Sequence, residues 1–472
     1  MIKAAGFEGR DVAVFGLGRS GLPAAEALRA GGARPLVWDD NPAARAAAET
    51  AGYELADLSE IDWGDLAALV LSPGVPLSHP APHWTVPLAE RAGVPVIGDV
   101  ELFARAIEAL SPERRPRVVG VTGTNGKSTT TALIGWALAQ AGLDVRVGGN
   151  IGVGVLSLEP PVAGSVYIIE VSSYQLDLTC SFRPDAAILL NITPDHLERH
   201  GDMTGYAAAK ARIFAAQRPG QTAIVNLDDA PSRAILDQLR SRPAGPAIRP
   251  ISVREEARGG VWAKDACLFE ELDGRVEQVC DLAGARSLRG RHNAQNAAAA
   301  YAALRALGVS RAVATRGLLG FPGLAHRMQE IACIRGVRFI NDSKATNADA
   351  ARQAMLSYPR FRWVAGGRAK AGGIDDLADL FPRVTKAYLV GESAGAFASA
   401  LGKRAPHVVS GDIESAVAEA FADARSEGDR EAIVLLSPAA ASFDQFSDFE
   451  ARGDAFRRAV MELAQREGWS DA

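Results

Sequence analysis

The chain contains no long run of lysine or arginine, and its 51 basic residues are outnumbered by 56 acidic ones, giving a net charge of −5. Such a surface lacks the basic footprint that nucleic acid or an anionic membrane attracts, so neither partner is expected. No apolar run approaches the ~20 residues of a membrane-crossing helix, and the first residues lack the basic-then-apolar pattern of a secretory signal. The expectation is a soluble, cytoplasmic protein. Cysteine is scarce: Cys180, Cys267, Cys280 and Cys333 are scattered without C-x-x-C spacing, which argues against a disulfide framework or a zinc site. They read as core or surface thiols. Internal repeats, coiled-coil heptads and low-complexity tracts are also missing. What remains is 472 residues of ordinary apolar content, too long for one core and suited to about three domains.

The most informative stretch is VGVTGTNGKSTTT at 119–131. A β-branched run ends in Gly120, Gly123 and Gly126, followed by Lys127 and by hydroxyl residues that open a helix-like segment. Glycines let backbone N–H groups converge on phosphate oxygens, and a helix N-terminus adds partial positive charge. The lysine reaches the outer phosphates, and the first hydroxyl can ligate magnesium. This order describes a nucleoside-triphosphate cradle. It departs from the generic GxxxxGK[ST] spacing, because the residue five before Gly126 is Val121.

In chain order, a strand at 11–15 leads into Gly16, Gly18 and Gly21 in GxGxxG spacing and an alanine-rich helix to about residue 30. A second strand at 35–38 ends in Asp39 and Asp40. These glycines could bind a dinucleotide, bind another diphosphate such as that of a nucleotide sugar, or only permit tight packing. A third strand at 66–71 runs into Ser72, Pro73 and Gly74, at the strand end where such sheets bind ligands. The segment 99–110 closes this first region, and the proline-punctuated 111–117 reads as a linker.

The next region has a helix at 127–141 and near-continuous apolar strands at 166–171 and 186–192, the pattern of a parallel sheet covered on both faces. A helix is expected at 204–216, a small antiparallel appendage at 250–288 and a helix at 293–307. From near Pro322, strands at 338–340, 361–365, 387–390 and 432–436 alternate with helical patterns. The fold class is therefore α/β in three domains: Rossmann-like at 1–110, P-loop NTPase-like with a mostly parallel sheet at 111–321, and Rossmann-like at 322–472.

Glu170, at the end of an apolar strand beside the cradle, is the natural second ligand for a magnesium held by Ser128. His196 follows another buried strand and could be a base, a metal ligand or a structural residue. Lys210, on a helix, is not distinctive by type or position.

GTNGKST at 123–129, EVSSYQL at 170–176, NITPDHLERH at 191–200, HNAQN at 292–296, His326 with Arg327, DSKATN at 342–347 and SPAAASFDQF at 437–446 occur in that order. Together they resemble the Mur ligases of peptidoglycan precursor synthesis over essentially the whole chain. With GLGRSG at 16–21, DSKATN and FDQF resemble the D-glutamate-adding branch, and no DNPR-type motif of the diaminopimelate- or lysine-adding branch is present.

The resemblance implies an ATP-dependent ligase that joins D-glutamate to UDP-MurNAc-L-alanine through an acyl phosphate. It implies ATP contacts from Gly123, Thr124, Asn125, Gly126, Lys127, Ser128, Thr129, Asn293, Arg327, Asp342 and Lys344. The UDP-sugar would lie against Gly18, Arg19, Ser20, Gly21, Asp39, Asp40, Ser72, Pro73, Gly74 and Asn150. D-glutamate would meet Thr346, Lys370, Ser442 and Phe443, where a lysine and hydroxyls suit two carboxylates. Catalysis would rest on Lys127, Glu170, His196 and Lys210. Two magnesium ions are implied, one with Ser128 and Glu170, the other with His196 and a CO2-derived carbamate on Lys210. Arg368 departs from the family pattern, which leads one to expect an acidic or neutral residue there. A monomer that closes around its ligands is expected. The alternatives are a relative of folylpolyglutamate synthase or a nucleotide-switched regulatory protein; a nicotinamide oxidoreductase has no use for the cradle.

Overall fold

The computed structural model describes residues 1–369, 372–428 and 431–468. The chain forms two compact units, Met1–Leu282 with Ala294–Gly320, and Ala283–Asn293 with Phe321–Ala472.

The first unit holds two sheets. One contains β1 (Asp11–Phe15), β2 (Arg34–Trp38), β3 (Leu69–Leu71) and β4 (Val96–Ile97), all parallel in the order β2-β1-β3-β4. β3 begins later than the periodicity suggests, because a 3-10 turn at Trp63–Asp65 takes up the chain before it and bonds the Leu66 N–H to the Trp63 carbonyl.

The second sheet runs through β5 (Arg117–Thr122), β6 (Val145–Gly149), β7 (Val166–Glu170), β8 (Ala186–Leu189), β9 (Thr222–Asn226), β10 (Ala247–Ser252), β11 (Val261–Lys264), β12 (Cys267–Leu272) and β13 (Arg275–Asp281). Their order is β13-β12-β11-β10-β9-β8-β5-β7-β6. β7 and β8 are fully buried, as strands with helices on both faces should be. β8 stops at Leu189 instead of residue 192, since Leu190 and Asn191 leave the sheet to brace the cradle: the Leu190 N–H bonds the Thr122 carbonyl, and the Asn191 carbonyl accepts the Thr124 N–H. The helix expected at 204–216 divides into Met203–Ala211, capped by Asp202, and a 3-10 turn at Arg212–Phe214.

The expected antiparallel appendage at 250–288 is corrected in part. β10 pairs parallel with β9 and with β11, joining the segment to the main sheet, while the β11–β12 and β12–β13 pairs are antiparallel as expected. Buried Val261 and Trp262 pair with Ile251 and Ser252, so burial binds the segment to the sheet edge as a continuation of it.

The second unit holds β14 (Gln329–Ile334), β15 (Val337–Asn341), β16 (Phe361–Gly366), β17 (Val384–Val390), β18 (His407–Gly411) and β19 (Ile433–Leu436), ordered β14-β15-β19-β16-β17-β18. All pairs are parallel except β14 with β15. β14 and the half-exposed edge strand β18 were not expected from the pattern, because neither carries a continuous apolar run. Apolar clusters cover both faces of this sheet, one around Trp363 and Phe381 and the other around Phe339 and Phe456. Among the described residues no helix is long and apolar enough to cross a membrane. The four cysteines are free, two of them exposed.

The Asp99–Glu108 helix joins the two sheets of the first unit. Its Glu101 is fully buried and accepts bonds from the Cys180 N–H at 2.8 Å, the Ser181 N–H at 2.8 Å, the Ser181 hydroxyl at 2.9 Å and Arg105 Nε at 2.9 Å. Removing this acceptor takes a buried partner from two backbone donors and from the Arg105 guanidinium. Glu101→Ala should lower unfolding stability by about 3 kcal/mol, with Glu101→Gln losing less because an oxygen acceptor remains. Urea denaturation midpoints of the ligand-free proteins measure this.

Candidate functional site

The cradle lies between β5 and the Lys127–Gln140 helix, and its geometry admits only glycine at two points. Gly123 and Gly126 have φ of 150° and 86°; a Cβ would lie 2.9 Å from Leu190 Cβ at Gly123 and 2.2 Å from Asn296 Oδ1 at Gly126. Asn191 fixes the loop from the side, its Oδ1 accepting the Asn125 N–H at 2.8 Å and its Nδ2 donating to the Asn125 carbonyl at 3.1 Å and to Gln295 Oε1 at 3.0 Å. Asn296 accepts from the Thr130 hydroxyl at 3.2 Å. Individual roles for Asn191, Gln295 and Asn296 were not foreseen; the motifs NITPDH and HNAQN were their only signal.

Two lysines converge on this loop. Lys127 Nζ donates to the Gly123 carbonyl at 2.9 Å and to the Thr124 carbonyl at 2.7 Å, while Lys210 Nζ donates to the same Gly123 carbonyl at 2.8 Å. Lys210 is 1 % exposed, and burial first, then the charge of Lys127, holds its pKa well below the usual lysine range. Asp195 and Glu170 act in the opposite sense. The resulting amine is neutral more readily than an ordinary lysine, and neutrality is what reaction with CO2 demands. Its Nζ lies 4.6 Å from the centroid of the Tyr206 ring, whose hydroxyl sits 3.2 Å from Thr124 Oγ1.

Glu170 is 2 % exposed at the end of β7, in register with Val121 of β5. Its Oε1 accepts from Asn150 Nδ2 at 2.8 Å, whereas Oε2 is buried without a hydrogen-bond partner. An orphaned carboxylate oxygen is unfavourable unless a cation completes it. His196 caps the Leu197–His200 helix with a left-handed φ of 53°. Its Nδ1 lies 2.9 Å from the Tyr174 hydroxyl and its Nε2 3.5 Å from Asp195. Burial lowers its pKa, opposed by Asp195 and Glu198, which favours the neutral imidazole that ligates metals. Ser128 is buried at the helix start. Among the described residues no group of three His, Cys, Asp or Glu forms a metal cage. The donor set here fits magnesium in another way, through a hydroxyl, an unsatisfied carboxylate oxygen, an imidazole and an amine that can become a carbamate.

A cavity of about 520 Å³ connects these groups with the first sheet. Gly18, Arg19, Ser20, Ser72, Pro73 and Gly74 line it from that side, and Lys127, Asn150, His196 and Lys210 from the other. Tyr174, Gln175 and Tyr206, not named as site residues from the sequence, line it too. Gly21 serves packing, because a Cβ there would lie 1.7 Å from the Gly16 carbonyl oxygen. Asp39 and Asp40 are not part of the lining: Asp39 accepts the N–H groups of Leu17 at 2.6 Å and Asn41 at 2.8 Å, and Asp40 meets His83 Nε2 at 3.0 Å. Thr129 is half-buried in the first turn of the cradle helix.

In the second unit, Asp342 accepts from the Ser437 hydroxyl at 3.0 Å and the Met328 N–H at 3.2 Å, and burial pushes its carboxyl up to about 7. Arg327 is among the charges that act against that rise. Lys344 Nζ lies 3.9 Å from the centroid of the Phe449 ring. Buried Arg452 joins the DSKATN and SPAAASFDQF loops, donating to the Ser343 carbonyl at 2.8 Å and the Ala440 carbonyl at 3.0 Å. No motif flagged it, since helical arginines are usually exposed. Thr346 is half-buried, Ser442 is buried and Phe443 is 64 % exposed. Asn293 donates to the Arg289 carbonyl at 3.0 Å. Lys370 lies outside the described residues. Arg368 pairs with Glu392 at 3.1 Å and exchanges backbone bonds with Ala441, so its charge is directed to a surface ion pair.

A glycine-rich phosphate cradle and a second α/β sheet facing one cavity define a nucleotide-dependent α/β enzyme scaffold. Family models for the Mur ligase middle domain and the Mur ligase glutamate ligase domain match residues 121–304 and 326–440. The chain is 59 % identical over 472 residues, all of both chains, to a UDP-N-acetylmuramoylalanine--D-glutamate ligase of Phenylobacterium zucineum. It is 60 % identical over 463 residues to a ligase of the same name from Caulobacter vibrioides, covering 98 % of each. In fold it resembles a MurF ligase from Thermotoga maritima solved in complex with ADP, with TM-score 0.57, 17 % identity and coverage of 98 % of this chain and 99 % of that one. The chain belongs to the Mur ligase family.

Lys210 gives the site a pH signature. Unfolded, its amine takes a proton near the ordinary value of 10.5, while folded it stays neutral to lower pH. Between those two values the unfolded state binds more protons, so this contribution costs stability as pH falls. The unfolding free energy of wild type minus that of Lys210→Met should therefore increase as pH is raised towards 10.5 in CO2-free buffer. Urea titrations across the alkaline range measure the difference.

Proposed function

We propose that this chain catalyses the ATP-dependent joining of D-glutamate to UDP-MurNAc-L-alanine, an amide-forming step of peptidoglycan precursor synthesis. The observation that carries the reading is the cavity in which the glycine-rich loop of the first sheet and the cradle lysine face the same space. In this reading residues 1–110 bind the nucleotide sugar, 111–321 bind ATP and 322–472 bind the amino acid, with Thr346, Lys370, Ser442 and Phe443 towards D-glutamate.

A carboxylate is a poor electrophile until one oxygen becomes part of a phosphate leaving group. The carboxylate of the L-alanyl group attacks the γ-phosphorus of ATP, giving acyl phosphate and ADP. The unprotonated amine of D-glutamate then attacks the acyl carbon, and the tetrahedral adduct expels phosphate to leave the amide. Lys127 and the N–H groups of the cradle offset the charge that builds on the phosphoryl oxygens. Arg19, Ser20 and the Ser72–Gly74 turn hold the sugar nucleotide so that its carboxylate lies towards the cradle.

Bound magnesium would supply the remaining neutralisation when two anions meet. Ser128 and Glu170 would hold one ion, and His196 with a carbamate on Lys210 a second. The unpartnered Glu170 oxygen and the desolvated Lys210 amine support this arrangement.

Phosphate release should require ATP, UDP-MurNAc-L-alanine and glutamate together, with the D enantiomer preferred. Turnover with folate acceptors would instead favour the folylpolyglutamate synthase reading, and hydrolysis indifferent to both acceptors a regulatory one. Lys127→Ala should lower kcat by ~100-fold or more. Lys210→Ala should fall by a similar factor and recover in part when a short-chain carboxylate replaces the carbamate. Failure of bicarbonate plus short-chain carboxylate to restore activity would count against carbamylation.

A further inference from the structure

Gln295, on the Arg291–Ala306 helix, is 8 % exposed and does not line the cavity, yet both ends of its carboxamide are bonded. Its Oε1 accepts from Asn191 Nδ2 at 3.0 Å, and its Nε2 donates to Asp228 Oδ2 at 3.3 Å. Asp228 follows β9 and is held in turn by the end of β10, its Oδ1 accepting the Ser252 hydroxyl at 2.6 Å and its Oδ2 the Val253 N–H at 2.9 Å. At the other end, Asn191 meets the backbone of Asn125 twice, accepting its N–H through Oδ1 at 2.8 Å and donating to its carbonyl from Nδ2 at 3.1 Å. One line of hydrogen bonds therefore runs from the end of β10, through two side-chain amides, into the cradle.

This line has a direction. A carboxylate only accepts, whereas an amide accepts at one end and donates at the other. Asp228 therefore turns Nε2 of Gln295 towards itself and leaves Oε1 facing Asn191. That oxygen draws Nδ2 of Asn191, which leaves Oδ1 for the Asn125 N–H. With the Asn191 amide reversed, an NH2 group would face the Asn125 N–H and an oxygen the Asn125 carbonyl, two repulsive contacts inside the cradle. The backbone around Asn191 has supports of its own: the Leu190 N–H bonds the Thr122 carbonyl, the Asn191 carbonyl accepts the Thr124 N–H at 2.8 Å, and the Ile192 N–H bonds Asp229 Oδ2 at 3.3 Å. Gln295 thus decides how the Asn191 amide is turned, and not the path of the chain that carries it.

We infer that Gln295 is a positioning residue for ATP, which fixes the peptide of Asn125 in the cradle by orienting the Asn191 amide against it. This rests on ATP occupying the cradle. Asn125 directly precedes Gly126 and Lys127, so a rotation of its peptide displaces both the turn at Gly126, with its φ of 86°, and the lysine that offsets phosphoryl charge. Gln295→Glu keeps the shape of the side chain and replaces its donor to Asp228 by an acceptor, so that two acceptors face each other and the line loses its direction. Asp228→Asn added to Gln295→Glu supplies a donor again, and the contact re-forms with donor and acceptor exchanged. The exchange takes from the Val253 N–H its acceptor, so the recovery is partial.

The test measures binding of a non-hydrolysable ATP analogue and of UDP-MurNAc-L-alanine by calorimetry, together with KM for each substrate, for wild type, Gln295→Glu, Asp228→Asn and the double variant. Mildly alkaline buffer is used, where a proton shared between two carboxyls is least available. Gln295→Glu should weaken the analogue by about 10-fold and raise KM for ATP by a similar factor, with nucleotide-sugar binding within about 2-fold of wild type. Asp228→Asn should lose less, and the double variant should bind the analogue about 3-fold more tightly than Gln295→Glu, where independent effects would instead add. Unchanged analogue binding in Gln295→Glu would overturn the inference, and so would a double variant that binds no better than Gln295→Glu. Equal losses of both ligands would overturn it as well, since that is a general structural effect. Should Gln295→Glu not fold, Gln295→Met, uncharged and of similar length, should weaken the analogue by about 3-fold, and no change there would overturn the inference. Failure of wild type to bind the analogue would overturn the functional reading on which the inference stands.

Discussion

Everything in the site depends on one carbonyl oxygen, that of Gly123, to which two lysine amines donate. Two ammonium groups sharing a buried acceptor repel one another, so the arrangement favours one charged and one neutral amine. Burial selects Lys210 as the neutral one, because Lys127 is half-exposed at the helix start and faces the cavity. Gly123 presents that carbonyl from a backbone conformation in which a Cβ would meet Leu190. The irregular glycine spacing of the cradle is therefore part of the site's electrostatics as well as its shape.

The same economy recurs at the Asp99–Glu108 helix. Two carboxylates two residues apart, Asp99 and Glu101, satisfy donors from the 172–175 turn and the Cys180–Ser181 backbone. Buried acids are unfavourable unless each oxygen is bonded, and these oxygens have donors from several segments at once. In the second unit Arg452 plays a corresponding part, with its guanidinium spread over the Ser343, Gly366 and Ala440 carbonyls. In each case a charged group that a surface would leave solvated has been enclosed to fix loops that carry motifs.

Much of the fold was legible in the sequence because its strands are buried on both faces and read as short apolar runs, as at 11–15, 166–171 and 186–192. Segments whose pairing depends on neighbours distant in sequence were harder. β11 forms the expected antiparallel pair with β12 and on its other side also continues the parallel sheet, while β14 and β18 gave no continuous apolar signal. Glu170 and the cradle were readable as chemistry, since a carboxylate ending an apolar strand and a lysine after closely spaced glycines each have few structural uses. His196 and Lys210 were not readable that way, and only their family resemblance singled them out.

By itself, the sequence determined the local rules: where glycine was obligatory, which runs had to be covered on both faces, and which polar residues sat at strand ends. Only the tertiary structure decided that Lys210 meets Gly123 across 87 positions, that Tyr174 holds His196, and that Asp99 accepts from Gln175. The physical reason is that hydrogen bonding and desolvation act through space. A lysine becomes a readily neutral amine, and an aspartate an acceptor for a glutamine distant in sequence, through the groups that the packed sheets bring against it.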